Sequence, residues 1–374
     1  MWILNVLERG VSELDLHVSV DRGELPSKVF MSESLVSLRI ESQKVTPIDV
    51  EDVFLPKLKT LYLDTISLGK AGDYLDKILS GCLVLEELVL INVYFDFKNR
   101  SVSSKTFKRL KLCCIDYDQN PDTVSFDTPN LVYLEYSDYV AGKYPRVKFC
   151  SLVEASLNLQ MTYDQCAQAS YGVLVGNATD FLMGVSNVQI LHLSDKYLLF
   201  VVKQYRVFNS LIHLTIKTHR HGEVGWESLL ALLKNCPNLE TLVFQGLHHK
   251  DTIICEEVDG CLCKYSEDIP TCLSSSPVKV VKVWKFGEKN YNNDMKKQIE
   301  QVKHFLETMP NLEQMILYYD TPYDDDVLEV SKQLQMLPRV ASAKCKIQGI
   351  SDNLSLSFSF YTSGLIFFNS TFPV

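Results

Sequence analysis

An α/β solenoid is the fold class that the 374-residue sequence predicts: short parallel strands side by side in a curved sheet, with helices or loops on the convex side. Two observations support this prediction. The phrase apolar-x-x-Leu-x-apolar recurs along the chain, and a helical segment with a sharp stop precedes two of its strand-like runs. A unit of helix, turn and strand cannot bury its own apolar face, so it needs copies stacked beside it.

The recurring phrase begins ten times, at intervals of 22 to 28 residues with one longer gap of 35. This spacing is close to the period of leucine-rich repeats, about 20–29 residues. One match carries no weight, because Leu-x-Leu is common. Ten matches at one period favour a repeat array over an ordinary α/β domain with coincidental leucines. The phrase begins at Val11, Leu35, Leu58, Leu85, Phe107, Leu131, Val153, Val188, Leu211 and Leu239.

Two stretches, Trp226–Gln245 and Ile299–Tyr319, show the repeat unit most clearly. Each has apolar residues at helical spacing, then Pro-Asn-Leu-Glu, then a short alternating apolar run. Proline stops the helix because it lacks the backbone donor that the next turn needs. The alternation after it is typical of a strand with one buried face.

The first part of the chain follows the same pattern in order. Trp2–Arg9 is expected to be the end of a helix, and Ser12–Leu16 the strand after it. From Leu35 to Leu159 the repeats are regular, and Ala71–Leu79 carries a helical pattern within them. The long gap between Val153 and Val188 predicts a helix-bearing insertion, since insertions in a solenoid fall as loops or helices on one face.

The segment His248–Ser276 breaks the repeat and carries four cysteines. Their spacing, C-x5-C-x-C-x8-C, differs from the paired cysteines of structural zinc sites, so an exposed loop is favoured over a metal site. Ser274–Pro277 is typical of a linker. We therefore predict a leucine-rich-repeat solenoid over 1–273, a small α/β module continuing the stack over 274–350, and an apolar C-terminal tail over 351–374.

The module 274–350 opens with the alternating run VKVVKVWKF, which predicts a strand. The elements expected after it are the helix Asn293–Glu307, the strand Leu312–Tyr318, the helix Tyr323–Leu337 and the strand Ala341–Ile347. The acidic start of the second helix favours a helix N-terminus over a metal site. The tail contains several serines, so a poorly ordered tail or an added edge strand is expected rather than a membrane anchor.

Charge and cysteine usage exclude several classes of function. The net charge of −9 and the pI near 5.5 argue against a general nucleic-acid binder, which needs a basic surface. The odd count of 11 cysteines, several of them at apolar positions of the repeats, favours the cytosol or nucleus over an oxidising compartment. No phosphate-binding loop, dinucleotide-binding glycine pattern or nucleophile elbow occurs, so we predict neither an enzyme nor a bound cofactor or metal.

The surface expected to bind a partner is the concave strand face. Residues between the inward leucines point outward onto one continuous sheet. Tyrosine and arginine are favoured at binding hot spots, so we expect this face to bind a protein; the alternative is a face that is simply solvated. The predicted partner-binding residues are Arg39, Tyr62, Arg109, Lys111, Tyr133, Glu135, His192, His213 and Lys217.

A resemblance to a known family rests on the order of several segments. These are WILNVLERGVSELDL, ELPSKVFMSESLVSLRI, FLPKLKTLYLDTISL and LSGCLVLEELVLINV, followed much later by SSPVKVVKVWKFGEKN and HFLETMPNLEQMILYYD. Together they resemble the plant F-box proteins with leucine-rich repeats and a C-terminal FBD domain. The resemblance extends from about Trp2 to Ile350, and the combination of segments is specific where any single repeat is not.

The resemblance implies a substrate receptor of a cullin-type ubiquitin ligase. In that family an N-terminal F-box binds a Skp-type adaptor, and the repeats face a protein substrate. The sequence shows no F-box before Trp2, so adaptor and cullin are expected partners only if an F-box lies upstream. The alternative is a repeat scaffold, or a competitor that holds substrate, with no ligase role. Neither nucleic acid nor membrane is an expected partner.

Overall fold

A computed structural model gives the fold of the chain. The chain divides into two compact units, Met1–Val188 (the first unit) and Gln189–Val374 (the second unit). The residues that the structure describes are 2–18, 25–48, 50, 52–68, 74–95, 98–114, 120–170, 178–194, 207–217, 232–247, 273–288, 295–319, 324–337, 342–353, 356–360 and 365–367.

The described part of the first unit is built mainly from strands. They are β1 Glu13–Val18, β2 Ser37–Ile48, β3 Thr60–Leu68, β4 Glu87–Phe95, β5 Asn99–Ser103, β6 Arg109–Cys114, β7 Thr123–Asp127, β8 Tyr133–Tyr139, β9 Val147–Lys148 and β10 Glu154–Gln160. The helices are α1 Trp2–Glu8, a 3-10 turn at Ser27–Phe30, α2 Tyr74–Gly81, α3 Tyr163–Ser170 and α4 Thr179–Gly184.

Seven strands form the main sheet of the first unit, all parallel, in the order β1-β2-β3-β4-β6-β8-β10. Each carries one copy of the recurring phrase, and equivalent residues pair with each other. Each buried leucine side chain contributes about 1.5–3 kcal/mol. The parallel, in-register pairing of these repeated strands confirms the predicted repeat solenoid. One inward row of paired, buried residues runs through Leu14, Leu38, Leu61, Leu88, Leu110, Leu134 and Ala155.

A second parallel sheet, β5-β7-β9, lies outside the sequence prediction, which placed turns and helices between the main strands. Its strands are too short for their alternation to be distinctive. The sheets pack face to face through aromatic rings: the ring centroid of Phe126 on β7 lies 5.3 Å from that of Tyr136 on β8. Phe181 of α4 joins them, with centroid distances of 5.9 and 5.4 Å. The core of the first unit therefore includes the space between two sheets.

The insertion predicted between Val153 and Val188 does carry helices, α3 and α4, although both are short. A reciprocal cap starts α3. The backbone N–H of Thr162 donates to Gln165 Oε1 at 3.0 Å, and the backbone N–H of Gln165 donates to Thr162 Oγ1 at 3.1 Å. This Thr-x-x-Gln pattern satisfies two amide donors that a helix start would otherwise leave open.

A bulge occurs at the same place in β3 and β4. Thr65 (φ 56°) and Asn92 (φ 51°) adopt left-handed backbone, so each faces outward together with the residue before it. This conformation costs most L-residues about 1–2 kcal/mol, but asparagine tolerates it through local hydrogen bonds. A β-branched residue such as Thr65 is strained there.

Replacing Thr65 with asparagine is expected to raise the free energy of unfolding by about 1 kcal/mol, because it relieves this strain. Urea unfolding followed by circular dichroism measures the change. Ser67→Asn in the same strand is the control, because Ser67 is not in the left-handed region and gains nothing from asparagine. Equal effects of the two substitutions would contradict the strain argument.

The asparagine of the Pro-Asn-Leu motif connects successive repeats. The side-chain amides of Asn130, Asn238 and Asn311 donate to backbone carbonyl oxygens 25, 29 and 35 residues earlier in the chain, at 2.7, 2.8 and 2.9 Å. Proline ends one segment, and asparagine then ties the turn to the preceding repeat. The motif that marks the repeats in the sequence is thus also a device that holds them together.

The second unit continues the same construction. Its described strands are β11 Ile190–Ser194, β12 His213–Lys217, β13 Thr241–Gln245, β14 Val280–Phe286, β15 Gln314–Tyr319, β16 Lys346–Ile350, β17 Phe358–Phe360 and β18 Leu365–Phe367. Its described helices of six residues or more are α5 Met295–Thr308 and α6 Asp324–Gln335. Strands β11 to β16 pair in parallel, each with the next.

The predicted second module begins with β14, which pairs directly with the repeat strand β13. The boundary between 1–273 and 274–350 stays a prediction. Helices α5 and α6 lie where the pattern placed them, whereas the last strand runs from Lys346 to Ile350 instead of Ala341–Ile347. It starts later because Ser342 and Cys345 form a turn, in which the Cys345 N–H donates to the Ser342 carbonyl. The cysteine-rich stretch 248–272 lies outside the described residues.

Two short segments within the predicted tail 351–374 form the edge strands β17 and β18, and an added edge strand is one of the two outcomes expected from the sequence. Both are antiparallel: β17 pairs with β16, and β18 with β17. Phe358 and Phe360 on β17 are buried. A Cβ on Gly349 would lie 2.4 Å from the Phe358 ring, so glycine makes room for it. Burial of these rings holds the segment on the sheet.

Candidate functional site

The outward side of the main sheet in the first unit carries three straight rows of side chains, which we call the first strand face. Parallel pairing in register aligns equivalent residues of all seven strands. The first row is Glu13, Ser37, Thr60, Glu87, Arg109, Tyr133 and Glu154. The second is Asp15, Arg39, Tyr62, Val89, Lys111, Glu135 and Ser156. The third is His17, Glu41, Asp64, Ile91, Cys113, Ser137 and Asn158.

Arg39 and Tyr62 form the first of two similar clusters on this face. The guanidinium carbon of Arg39 lies 3.8 Å from the centroid of the Tyr62 ring, a cation–π contact. Arg39 Nη2 also donates to Glu41 Oε2 at 2.9 Å. The Tyr62 hydroxyl donates to Asp64 Oδ2 at 3.2 Å. Arginine, aromatic ring and carboxylates are therefore held in place on adjacent strands.

The second cluster repeats this arrangement three strands further along the sheet, on β6 and β8. The guanidinium carbon of Arg109 lies 4.2 Å from the Tyr133 ring centroid, and its Nε is 3.5 Å from Glu87 Oε1. The Tyr133 hydroxyl donates to Glu135 Oε2 at 3.2 Å, and Lys111 Nζ lies 3.1 Å from Glu135 Oε1. Both clusters combine an arginine on one strand with Tyr-x-carboxylate on the next.

The bulge in β3 adds polar groups beside the first cluster. Asp64 Oδ1 accepts hydrogen bonds from the Thr65 hydroxyl at 2.9 Å and from the Asn92 side-chain amide at 3.1 Å. Because Thr65 and Asn92 face outward only through their left-handed backbone, the bulge itself assembles this group. The alternating pattern of the sequence does not predict these contacts.

Ion pairing and burial set the protonation of the face. The hydrogen bond with Glu41 raises the pKa of Arg39, and the same bond lowers the pKa of Glu41. Burial, with neighbouring Glu135, raises the pKa of Tyr133 to about 12, so its hydroxyl keeps its proton and donates. Burial and Asp64 raise the pKa of Tyr62 in the same direction.

The first strand face is acidic overall. Seven carboxylates lie in its three rows, against one lysine and two arginines, with one histidine at the edge strand β1. The two Arg–Tyr clusters are therefore cationic and aromatic points within an acidic surface. A protein partner of mixed charge, with basic residues, would match this pattern.

The six predicted residues of the first unit, Arg39, Tyr62, Arg109, Lys111, Tyr133 and Glu135, all lie on the first strand face and take part in these clusters. The other three, His192, His213 and Lys217, lie on outward positions of β11 and β12 in the second unit. The two histidine rings are 6.0 Å apart, and His213 Nε2 is 3.2 Å from the Thr215 hydroxyl.

Two outward aromatic residues of the second unit, Trp284 and Tyr318, are missing from the sequence prediction. Their rings lie flat on each other, with centroids 3.8 Å apart and an interplanar angle of 5°. The signal was present as a tryptophan inside the alternating run VKVVKVWKF. Alternation with the buried residues Val281 and Val283 places this tryptophan on the outward side of β14, but the sequence prediction did not include it.

Among the described residues, no group of three or more His, Cys, Asp or Glu side chains is placed to hold a metal ion. None of the helices that the structure describes combines the length and apolar character needed to cross a membrane. The chemistry that the first strand face presents is recognition by ion pairs, hydrogen bonds and aromatic surfaces.

Comparison with known proteins gives the family. Residues 1–161 match the model of the LRR repeats of FBD-associated F-box protein At5g56370. The F-box/LRR-repeat protein At3g59250 of Arabidopsis thaliana is 64% identical over 359 residues, which are 95% of this chain and 83% of that protein. The putative F-box/FBD/LRR-repeat protein At3g59240 of the same plant is 55% identical, across 100% of this chain and 74% of its own length.

A third relative from Arabidopsis thaliana, the F-box/LRR-repeat protein At3g59210, is 54% identical over 95% of this chain and 75% of its own length. In all three comparisons the identity extends over nearly the whole chain, including both units. Identity of this extent comes with a shared fold and repeat order. The chain belongs to the plant F-box/LRR-repeat protein family.

Proposed function

We propose that this chain is the substrate-recognition part of an SCF-type ubiquitin ligase receptor and binds a protein substrate on the first strand face. The observation that supports the proposal best is the paired Arg–Tyr–carboxylate cluster, at Arg39–Tyr62 and again at Arg109–Tyr133. Arginine and tyrosine are enriched at binding hot spots. Side chains already held by their neighbours lose little rotamer entropy when a partner binds.

In this proposal the chain positions a substrate and breaks no bond itself. Ubiquitin transfer belongs to partner enzymes, and a Skp-type adaptor and a cullin join a form of the protein that carries an F-box. We place the protein in the cytosol or nucleus. The buried residues Cys82 and Cys236 are both free thiols, which suits a reducing compartment.

Proximity labelling in plant cells tests substrate binding. The chain is fused to a labelling enzyme and compared with Arg109→Glu, which reverses an exposed charge on the first strand face. We expect labelling of substrate proteins to fall at least tenfold, roughly the effect of a lost hot spot. The matched control is Lys57→Glu, in the exposed turn before β3 and outside the three rows. Equal labelling by both variants would contradict the proposal.

A second pair of variants separates aromatic from electrostatic recognition. Tyr133→Ala removes the ring under Arg109, whereas Tyr163→Ala removes an exposed ring on α3, away from the face. Only the first should reduce labelling, and thermal unfolding shows whether each variant is folded. Proteins that the wild-type chain labels and the Tyr133→Ala variant does not are the candidate substrates. Their abundance should increase when the proteasome is inhibited in cells that express the wild-type protein. Binding partners whose abundance does not respond would exclude the ligase role.

The adaptor is tested separately with purified proteins. An F-box segment from an F-box/LRR-repeat relative is joined ahead of Trp2, and both forms are mixed with a Skp-type adaptor. The extended form should be retained by the adaptor, while the present chain alone should not. Absence of binding by the extended form would contradict the link to the ligase without affecting the substrate test.

A further inference from the structure

The second unit carries an aromatic platform that the proposed function leaves unused. Trp284 on β14 is 43% exposed, and its ring lies flat on Tyr318 of β15. Two isoleucines on the same side of the sheet extend the apolar area. Ile350 on β16 pairs with Tyr318, and Ile316 lies two residues before Tyr318 on β15. A tryptophan held flat and half-exposed offers large contact area at little entropic cost.

Strand alternation places Trp284 outward, two residues after Lys282, and a bulge follows it. Lys285 adopts left-handed backbone (φ 56°), and the pairing of β14 with β15 shifts between Val283 and Phe286. As a result Trp284 and Lys285 both face outward, while Val283 and Phe286 on either side are fully buried. The bulge therefore adds Lys285 beside the ring and returns Phe286 to the core, whose packing maintains the strained backbone.

The charge around the platform is opposite to that of the first strand face. On the outward positions of described strands β11 to β16, the charged residues are Lys217, Lys282, Lys285 and Lys346, with no carboxylate among them. Lys285, beside Trp284, lies 3.8 Å from Glu288 and so is partly neutralised. An anionic partner fits this surface, whereas a basic one fits the first strand face.

Strand geometry sets the spacing of the partner's groups. Lys282 and Trp284 are two residues apart on the same side of β14, which places them about 7 Å from each other. An extended peptide has the same repeat, so a residue on the Trp284 ring and an acidic residue two positions away reach both groups together. Single-stranded nucleic acid also stacks on aromatic rings, but it needs a basic groove that follows its backbone, and the outward side of described strands β13 to β16 carries only the lysines Lys282, Lys285 and Lys346.

We propose that the outward side of β14 to β16 binds an extended acidic peptide whose aromatic residue sits on the Trp284–Tyr318 pair, with an acidic residue two positions away beside Lys282. This site rests on the proposed function only in that it would hold a segment of a protein partner. It lies on a different unit from the first strand face, so each can fail in an experiment independently of the other.

Fluorescence anisotropy with defined peptides on the full chain tests the site. The labelled probe is Gly-Ser-Asp-Glu-Phe-Asp-Glu-Gly-Ser, and the comparison peptides replace Phe by Ala or every acidic residue by Lys. We expect the acidic Phe peptide to bind, and both comparison peptides to bind at least about tenfold more weakly. Equal binding of the lysine peptide, or no binding of the acidic Phe peptide, would overturn the proposal.

Variants locate the binding on the surface. Trp284→Ala and Lys282→Glu should each weaken the acidic Phe peptide at least about tenfold. The controls Met336→Ala and Lys344→Glu change exposed residues of the same unit away from the platform and should leave binding unchanged. If Trp284→Ala does not fold, Lys282→Glu, which changes a half-buried lysine, tests the peptide site by itself. Unchanged binding by Lys282→Glu would refute the site.

Three further outcomes identify the partner class and separate the two proposals. If an eight-nucleotide thymidine oligonucleotide binds more tightly than the peptide, and Trp284→Ala abolishes that binding, the surface is a nucleic-acid site and the peptide proposal is wrong. If peptide binding is lost in Trp284→Ala while proximity labelling through the first strand face persists, the two surfaces act separately. Peptide binding that depends on Arg109 instead would place the site on the first unit and overturn the proposal.

Discussion

Replacing Arg100 with alanine is expected to lower the free energy of unfolding of the first unit by about 3–5 kcal/mol, because a buried carboxylate loses its cation. Arg100 on β5 and Asp138 on β8 have side chains only 3% and 1% exposed, and Arg100 Nη1 lies 2.5 Å from Asp138 Oδ2. The pair joins the second sheet to the main sheet. Urea unfolding followed by circular dichroism measures the loss.

Three donors converge on the Asp138 carboxylate. Besides Arg100, it accepts from the Tyr136 hydroxyl at 3.1 Å and the Tyr139 backbone N–H at 2.8 Å. Burial raises the pKa of Tyr136, so that hydroxyl keeps its proton. The double variant Arg100→Met/Asp138→Leu should recover part of the stability, since an apolar pair of similar volume often replaces a buried ion pair at no cost, but the buried Tyr136 hydroxyl loses its acceptor.

Arg146→Ala is the matched control for Arg100→Ala. Arg146 also pairs with an aspartate, Asp127, at 2.9 Å, but its side chain is 68% exposed. Exposed pairs contribute about 0–1 kcal/mol, so this variant should unfold nearly as the parent does. Similar losses for both arginine variants would show that burial of the ion pair is not what stabilises the contact between the sheets.

Replacing Leu88 with alanine is expected to cost about 2.7–5 kcal/mol, the range found for buried leucine truncations that leave a cavity. Leu88 lies in the middle of the inward row, fully buried between Leu61 of β3 and Leu110 of β6. Neighbours on both sides hold the cavity open, so relaxation recovers little of the loss. Hydrogen exchange of β3, β4 and β6 should accelerate together, since each repeat contacts its neighbours.

The adjacent residue Val89 provides the control for Leu88→Ala. It lies on the outward side of the same strand and is only half-buried. Val89→Ala removes less apolar surface from a position that opens no internal cavity, so its effect should be under about 1.5 kcal/mol. A loss as large as that of Leu88→Ala would mean that the outward side, too, is packed as a core.

The inward and outward rows were largely predictable from the sequence. Leu61, Leu88 and Leu110 are buried as the recurring phrase required, and Tyr62 and Arg109 face outward as their register predicted. Alternation with a period of two decides which side of a strand a residue occupies, and this is a local property. Whether the predicted outward residues bind a partner remains a prediction.

Other features depend on residues far apart in the chain. The Arg100–Asp138 pair joins residues 38 positions apart, and no repeat pattern marks either of them. The repeat pattern likewise does not mark the second sheet, the bulge at Thr65 or the edge strand β17. A strand as short as β5 resembles a loop in sequence, and a bulge shifts the alternation by one residue, which reverses the side predicted for the later residues of that strand.

By itself the sequence determined that leucine-bearing strands recur at a nearly constant period and pair in parallel, because alternation within a strand and spacing between strands are both written along the chain. Only the tertiary structure decided which charged and aromatic side chains meet. Strand register brings Arg39 to Tyr62 and Trp284 to Tyr318, and the packing of the two sheets of the first unit brings Arg100 to Asp138. These contacts cross between repeats or layers, and their energies depend on burial that only the folded chain creates.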